Sequence, residues 1–221
     1  MKKMIAGLIV IAAIVAAYFG YQRYQASEFV KALHSPVKEV TLRTKSLLDD
    51  TDNPGQMTYR DFAEKADAAI KNADETLLKV ESMDTSINPE AANAAISYIK
   101  QARAVSRSLR AVNQADMKSN NALERYKNAV DGFKTTSSRY SYEYAKERAD
   151  TARKEAEEAV ASFTEADENA KSVVQSFIQA NTDAGEQLPV DLLMPKDVIE
   201  RAKTLFSKEE KKENKAEEQK S

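Results

Sequence analysis

A stripe of ten apolar residues in the C-terminal half of the chain constrains the fold most strongly, because its members recur at alternating intervals of four and three. A sustained 3.5-residue period places all ten on one face of a single long α-helix and is typical of left-handed coiled-coil packing. Seven of the ten are alanine, so a neighbouring helix can approach closely. The first six, Ala145, Ala149, Ala152, Ala156, Ala159 and Phe163, form the candidate helix-pairing seam, and the stripe continues through Ala166, Ala170, Val173 and Phe177.

Helix-breaking residues are scarce in the rest of the chain. Proline and glycine are absent from residues 56–88, 90–131 and 133–184. Alanine, lysine, glutamate and leucine, which favour helices, are common in these stretches. Sheets joined by tight turns usually need more than the five glycines and five prolines found here. The composition therefore predicts an all-α fold.

Two helices are expected before residue 88. The first carries an apolar stripe from Val30 to Leu47 that keeps its phase across Pro36, which predicts a kink rather than a turn. Residues 49–55 are a dense turn signal. The second helix is expected to start near Thr58, which can cap it.

The third helix is expected to run from Pro89 to about Lys134, because Asn88 and Pro89 together are a strong helix-start signal. A polar stretch at 113–121 interrupts its apolar stripe and leaves open whether the helix is continuous. Folding the third helix back on the fourth about residues 135–141 places large side chains opposite the small ones of the seam. In this register Phe133 faces Ala145, Val130 faces Ala149, Tyr126 faces Ala152 and Leu123 faces Ala156.

The N-terminal segment is expected to be a transmembrane helix. Residues 4–21 are uncharged, and 18 helical residues span about 27 Å, enough for the hydrocarbon core of a bilayer. Lys2 and Lys3 precede the run, which favours a cytoplasmic N-terminus and a periplasmic or extracellular body. The alternative is a signal peptide that is cleaved, leaving a secreted protein.

Four regions follow from these patterns. Residues 1–22 form a signal-anchor transmembrane helix, and residues 23–184 form an antiparallel up-down helical bundle with a long coiled-coil hairpin. Residues 185–207 form an apolar strap and a short amphipathic helix that opens at Pro195. Residues 208–221 alternate lysine with glutamate and form a disordered charged tail.

Several kinds of chemistry are excluded or disfavoured. The chain has no cysteine, and His34 is its only histidine, so thiolate sites and the paired histidines of di-iron or zinc motifs cannot form. Two Ser-x-x-Lys spacings lack a nearby glycine-rich oxyanion hole. The net charge of −2 gives no electrostatic basis for binding nucleic acid. We therefore expect no cofactor, no metal and no catalytic residue.

The turn between the third and fourth helices concentrates aromatic side chains. Arg139, Tyr140, Tyr142 and Tyr144 lie within six residues, and tyrosine and arginine are enriched at binding hot spots. These four residues form a candidate partner-binding tip. The alternative is local packing that closes the hairpin.

The sequence favours a membrane-anchored helical interaction or scaffold protein without catalytic activity, with a protein partner or a second copy of itself. A first alternative is a helical bundle that binds a ligand, as a sensor domain does. A second is a coiled coil that self-assembles through the alanine seam.

Overall fold

The structure is a computed structural model that describes residues 2–52, 57–134 and 139–207, with only the backbone described for 2–14, 16, 139–140 and 205–207. The described residues are helical, without a strand, which confirms the all-α prediction. The helices are α1 (Lys2–Thr51), α2 (Tyr59–Glu81), α3 (Pro89–Lys134), α4 (Arg139–Ala184) and α5 (Lys196–Ser207), with a 3₁₀ turn at Val190–Leu192 before α5. Of the predicted turn at 49–55, residues 49–51 are instead the last residues of α1, and 53–55 lie outside the described residues. Residues 135–138 of the hairpin turn and the predicted tail 208–221 also lie outside them.

The first helix continues through Pro36, as predicted, instead of turning there. Its predicted stripe faces the core on both sides of the proline, because Leu33, Val37 and Leu47 are all buried. Apolar side chains at this spacing cover about one third of a helix surface and are buried when neighbours pack against them.

Side-chain caps set the starts of α2 and α3. The hydroxyl of Thr58 accepts a hydrogen bond from the backbone N–H of Asp61 at 3.1 Å. The side-chain oxygen of Asn88 accepts one from the backbone N–H of Ala91 at 3.1 Å, and Pro89 is the first helical residue. Both caps satisfy N–H groups that have no partner within the helix, and they confirm the predicted helix starts.

The third helix is continuous through the polar stretch at 113–121. Tyr59 of α2 lies against this stretch: its hydroxyl donates to Asp116 at 2.7 Å and accepts from Asn120 at 2.7 Å, and its carbonyl accepts from Asn113 at 2.9 Å. The polar residues at these positions hydrogen-bond with Tyr59, so the interruption of the apolar stripe does not mark a break in the helix. The hydrogen bond to Asp116 and partial burial raise the pKa of Tyr59.

Ion pairs fix the antiparallel packing of α2 on α3. Arg103 pairs with Asp74, and Arg110 pairs with Asp67 at 2.6 Å. Residue numbers therefore rise along α3 in the direction in which they fall along α2. The helix α3 also packs along α4, and Arg125 lies 3.8 Å from Glu155. The predicted packing of long helices against each other is confirmed.

The core differs from a simple four-helix bundle on the side between α1 and α4. We call residues 188–195 the strap. The strap and α5 pack against α1, and α5 also contacts α4, so they lie between α1 and α4. Seven side chains of this segment are buried because they complete the apolar core: Leu188, Leu192, Leu193, Met194, Val198, Ile199 and Ala202.

Polar contacts hold the strap and α5 parallel to α1. His34 Nε2 lies 2.9 Å from a carboxylate oxygen of Asp191, and Lys38 donates to the carbonyl of Asp191. Further along both segments, Arg201 pairs with Asp49 at 2.8 Å. Burial tends to raise the pKa of Asp49, but hydrogen bonds from Lys45 and Arg201 outweigh it and lower that pKa.

In the part of the chain that the structure describes, no helix combines the length and the apolar character that crossing a membrane requires. The uncharged run at 4–21 lies mostly among the residues whose side chains are not described. The predicted transmembrane helix is therefore not supported by the structure and stays a prediction from the sequence.

Candidate functional site

The outer part of the α3–α4 hairpin is separate from the core. The hydrophobic core cluster includes α3 only as far as Leu109, although Ser119 and Ala122 are also buried. The last described hydrogen bond between α3 and α2 is the one from Asn120 to Tyr59. Beyond Asn120, α3 continues for 14 residues, about 20 Å, to Lys134. We call this part of α3, 121–134, together with residues 139–155 of α4, the arm.

The alanine seam is the less exposed face of α4 in the arm. Ala145, Ala149 and Ala152 are half-buried and Ala156 is buried, whereas the residues flanking them are exposed. Towards the core, Ala159 and Phe163 are half-buried as well. Since α3 is the main packing partner of α4, the seam faces α3 within the same chain.

The four residues of the predicted tip have different surroundings. The side chains of Arg139 and Tyr140 lie outside the described residues, and their backbone forms the first turn of α4. The ring of Tyr142 lies 4.8 Å from the ring of Phe133, and this side chain is 47% exposed. That contact fits the packing alternative for Tyr142. Tyr144 is 67% exposed.

Tyr144 borders a shallow groove of about 460 Å³ on one flank of the arm. Two arginines, Arg125 of α3 and Arg148 of α4, lie on the same groove, and Glu147 and Glu155 complete its charged rim. Arginine and tyrosine together are the residue types found at binding hot spots. We call this feature the arm groove. Sequence reasoning missed both arginines because they are 23 residues apart and meet only when the hairpin closes.

A second concave feature lies where the arm meets the core. This junction cleft, of about 430 Å³, is formed by the end of α1, the start of α2 and the middle parts of α3 and α4. Its apolar lining consists of Met57, Phe62, Leu109, Val112 and Phe163, and its polar lining of Asp50, Thr51, Tyr59, Asn113 and Asp116. No sequence pattern indicated it, because four distant segments contribute.

Within the described part of the chain, no group of three or more histidine and carboxylate side chains is placed to hold a metal ion. No protein-family model, curated protein or solved structure gives a significant match to this chain.

Proposed function

We propose that this protein is a membrane-anchored, extracytoplasmic helical interaction protein without catalytic activity, and that it contacts a protein partner through the arm groove. The observation that carries the proposal is the position of Tyr144, Arg125 and Arg148 on one groove, outside the core. An arm that packs only on itself adds little to the stability of the core. Its length is better explained by a contact made at a distance.

The membrane anchor is part of the proposal and rests on the sequence. Residues 4–21 carry no charge. Where side chains are described again, Tyr18, Phe19 and Tyr21 are exposed by 58–60% on the part of α1 that precedes the core. Tyrosine and phenylalanine rings at the end of an apolar helix favour the membrane–water interface.

Self-assembly through the alanine seam is the less favoured proposal. The seam faces α3 in the same chain, so a second copy could use it only by displacing α3. A second copy could still occupy the arm groove, and the experiment below distinguishes this case from a different partner.

Photo-crosslinking in living cells tests the proposal. A photoreactive phenylalanine analogue at position 144 should give one discrete adduct, whose mass identifies the partner or a second copy. The same analogue at Glu157, an exposed position on the opposite flank of α4, is the matched control and should give none.

Variants then link the adduct to the groove. Arg148→Ala should reduce crosslinking from position 144, because an arginine at a hot spot contributes 2 kcal/mol or more, roughly a thirty-fold loss of affinity. Lys154→Ala, an exposed cation on the same helix that does not border the arm groove, should leave it unchanged. Equal adducts from positions 144 and 157, or none from 144, would contradict the proposal.

A further inference from the structure

The junction cleft has the size and the lining of a small-molecule site. Ligand sites in proteins have volumes of roughly 300–1,000 Å³, are mostly apolar, and often lie between the helices of a bundle. The cleft measures about 430 Å³ and has five apolar side chains in its lining. Its most buried lining residue, Leu109, belongs to the hydrophobic core. The cleft therefore offers a fixed apolar surface.

The charged groups of the cleft all have one sign. Asp50 and Asp116 line it, and no lysine or arginine does. The C-terminus of α1 and the N-terminus of α2 both lie at the cleft, so their opposite helix dipoles offset each other. Lys65 pairs with Asp50 and offsets its charge, so Asp116 sets the electrostatic preference of the cleft, which is for a positive charge.

Hydrogen bonding in the lining also favours a ligand with a positive charge. Thr51 donates its hydroxyl hydrogen to the carbonyl of Leu47 at 2.9 Å, and Tyr59 donates its own to Asp116. The amide of Asn113 donates to the carbonyl of Tyr59. The hydrogen-bond donors of these three side chains are therefore already engaged by acceptors within the protein. Each carboxylate, in contrast, can accept about four hydrogen bonds.

Asp116 accepts two hydrogen bonds in the described structure, one from Tyr59 and one from Asn120. Asp50 accepts one, from Lys65 at 2.7 Å. Both carboxylates thus keep acceptor capacity at the rim of an apolar cleft. A ligand that matches this arrangement brings hydrogen-bond donors and a positive charge on an apolar body.

We propose that the junction cleft binds a small amphipathic cation, an aromatic or branched aliphatic amine whose apolar part packs on Phe62, Val112 and Phe163 and whose ammonium group pairs with Asp116. This site is distinct from the arm groove, and its test does not depend on the protein partner. A ligand here would contact α1, α2, α3 and α4 together.

Three compounds that share an indole ring and carry short side chains of different charge test the proposal on the full-length chain: cationic tryptamine, neutral tryptophol and anionic indole-3-acetate. The chain has no tryptophan, so indole fluorescence excited at wavelengths longer than its nine tyrosines absorb reports the ligand. Protein-free samples of the same lipid or detergent correct for partitioning. We expect saturable binding of tryptamine, weaker binding of tryptophol and the weakest binding of indole-3-acetate.

Three variants locate the binding. Asp116→Asn keeps the shape of the side chain and should weaken tryptamine about ten-fold, the effect of losing a hydrogen bond to a charged group. Glu124→Gln makes the same change two turns further along α3, on an exposed residue outside the cleft, and should have no effect. Val112→Phe fills the cleft without changing charge and should weaken all three compounds.

Several results would overturn the proposal. One is the absence of saturable tryptamine binding at millimolar concentration. Another is equal affinity for all three compounds, or an equal loss in the Asp116→Asn and Glu124→Gln variants. If tryptamine affinity falls as protein concentration rises, a second copy of the chain fills the cleft instead. Circular dichroism checks that each variant is folded. If Asp116→Asn does not fold, the binding measured with Val112→Phe tests the location of the site.

Discussion

At the scale of single residues, one hydroxyl group joins three segments of the core. Thr41 of α1 donates to the carbonyl of Leu192 in the strap at 2.6 Å, and its oxygen lies 2.8 Å from the hydroxyl of Tyr98 in α3. Tyr98 is fully buried beside Phe177. Burial raises the pKa of Tyr98 well above its usual value, although hydrogen bonds with Thr41 and with the backbone at Met194 act to lower it.

Two conservative substitutions at this contact should differ in their cost. Tyr98→Phe removes one hydrogen-bonding group and should lower the free energy of unfolding by about 1 kcal/mol. Thr41→Val leaves the Leu192 carbonyl buried without this donor, which costs about 1–3 kcal/mol. It also removes one partner of the Tyr98 hydroxyl, which keeps its hydrogen bond with the backbone at Met194. Urea denaturation of both variants measures the difference. An equal or larger loss in Tyr98→Phe would contradict this account of the contact.

At the scale of elements, local signals predicted the helices well and tertiary contacts less well. The starts at Thr58 and Pro89 and the stripe through Pro36 depend on neighbours within a few residues, which the sequence displays directly. The polar stretch at 113–121 was harder to interpret, since its partner Tyr59 lies more than 50 residues away. The apolar character of the strap was visible, but its position between α1 and α4 was not.

The strap contact should weaken in acid. The hydrogen bond from His34 lowers the pKa of Asp191 below its usual 3.8. A carboxylate whose pKa is lower in the folded state stabilises that state above its unfolded pKa, and the stabilisation is lost as the pH falls through the folded pKa. The melting temperature of Asp191→Asn should therefore lie below that of the wild type at neutral pH, and the two should converge at a pH below 3.8.

The matched control for this prediction is Glu168→Gln, which changes an exposed carboxylate of α4. Its melting temperature should equal that of the wild type at every pH. A difference between wild type and Asp191→Asn that stays constant into the acid range would show that the carboxylate charge of Asp191 does not hold the strap.

At the scale of the whole molecule, the chain divides into a core and an arm that share two helices. The core buries apolar side chains from α1, α2, α3, α4, the strap and α5. In the arm, α3 and α4 have only each other as described packing partners, and alanine on one side of the interface limits the apolar area that they bury. The length of the hairpin could be predicted from the sequence, whereas the arm groove and the junction cleft required the closed structure.

Hydrogen exchange along α3 tests this division most directly, because one continuous helix passes through both parts. Amide exchange reports the free energy of local opening, which is low where few apolar contacts hold a segment. In the purified protein, amides at 91–109 should exchange slowly and amides at 121–134 much faster, with the change near the Tyr59 contact at Asn120. Uniform protection from 91 to 134 would contradict the account, since the arm would then be as firmly packed as the core.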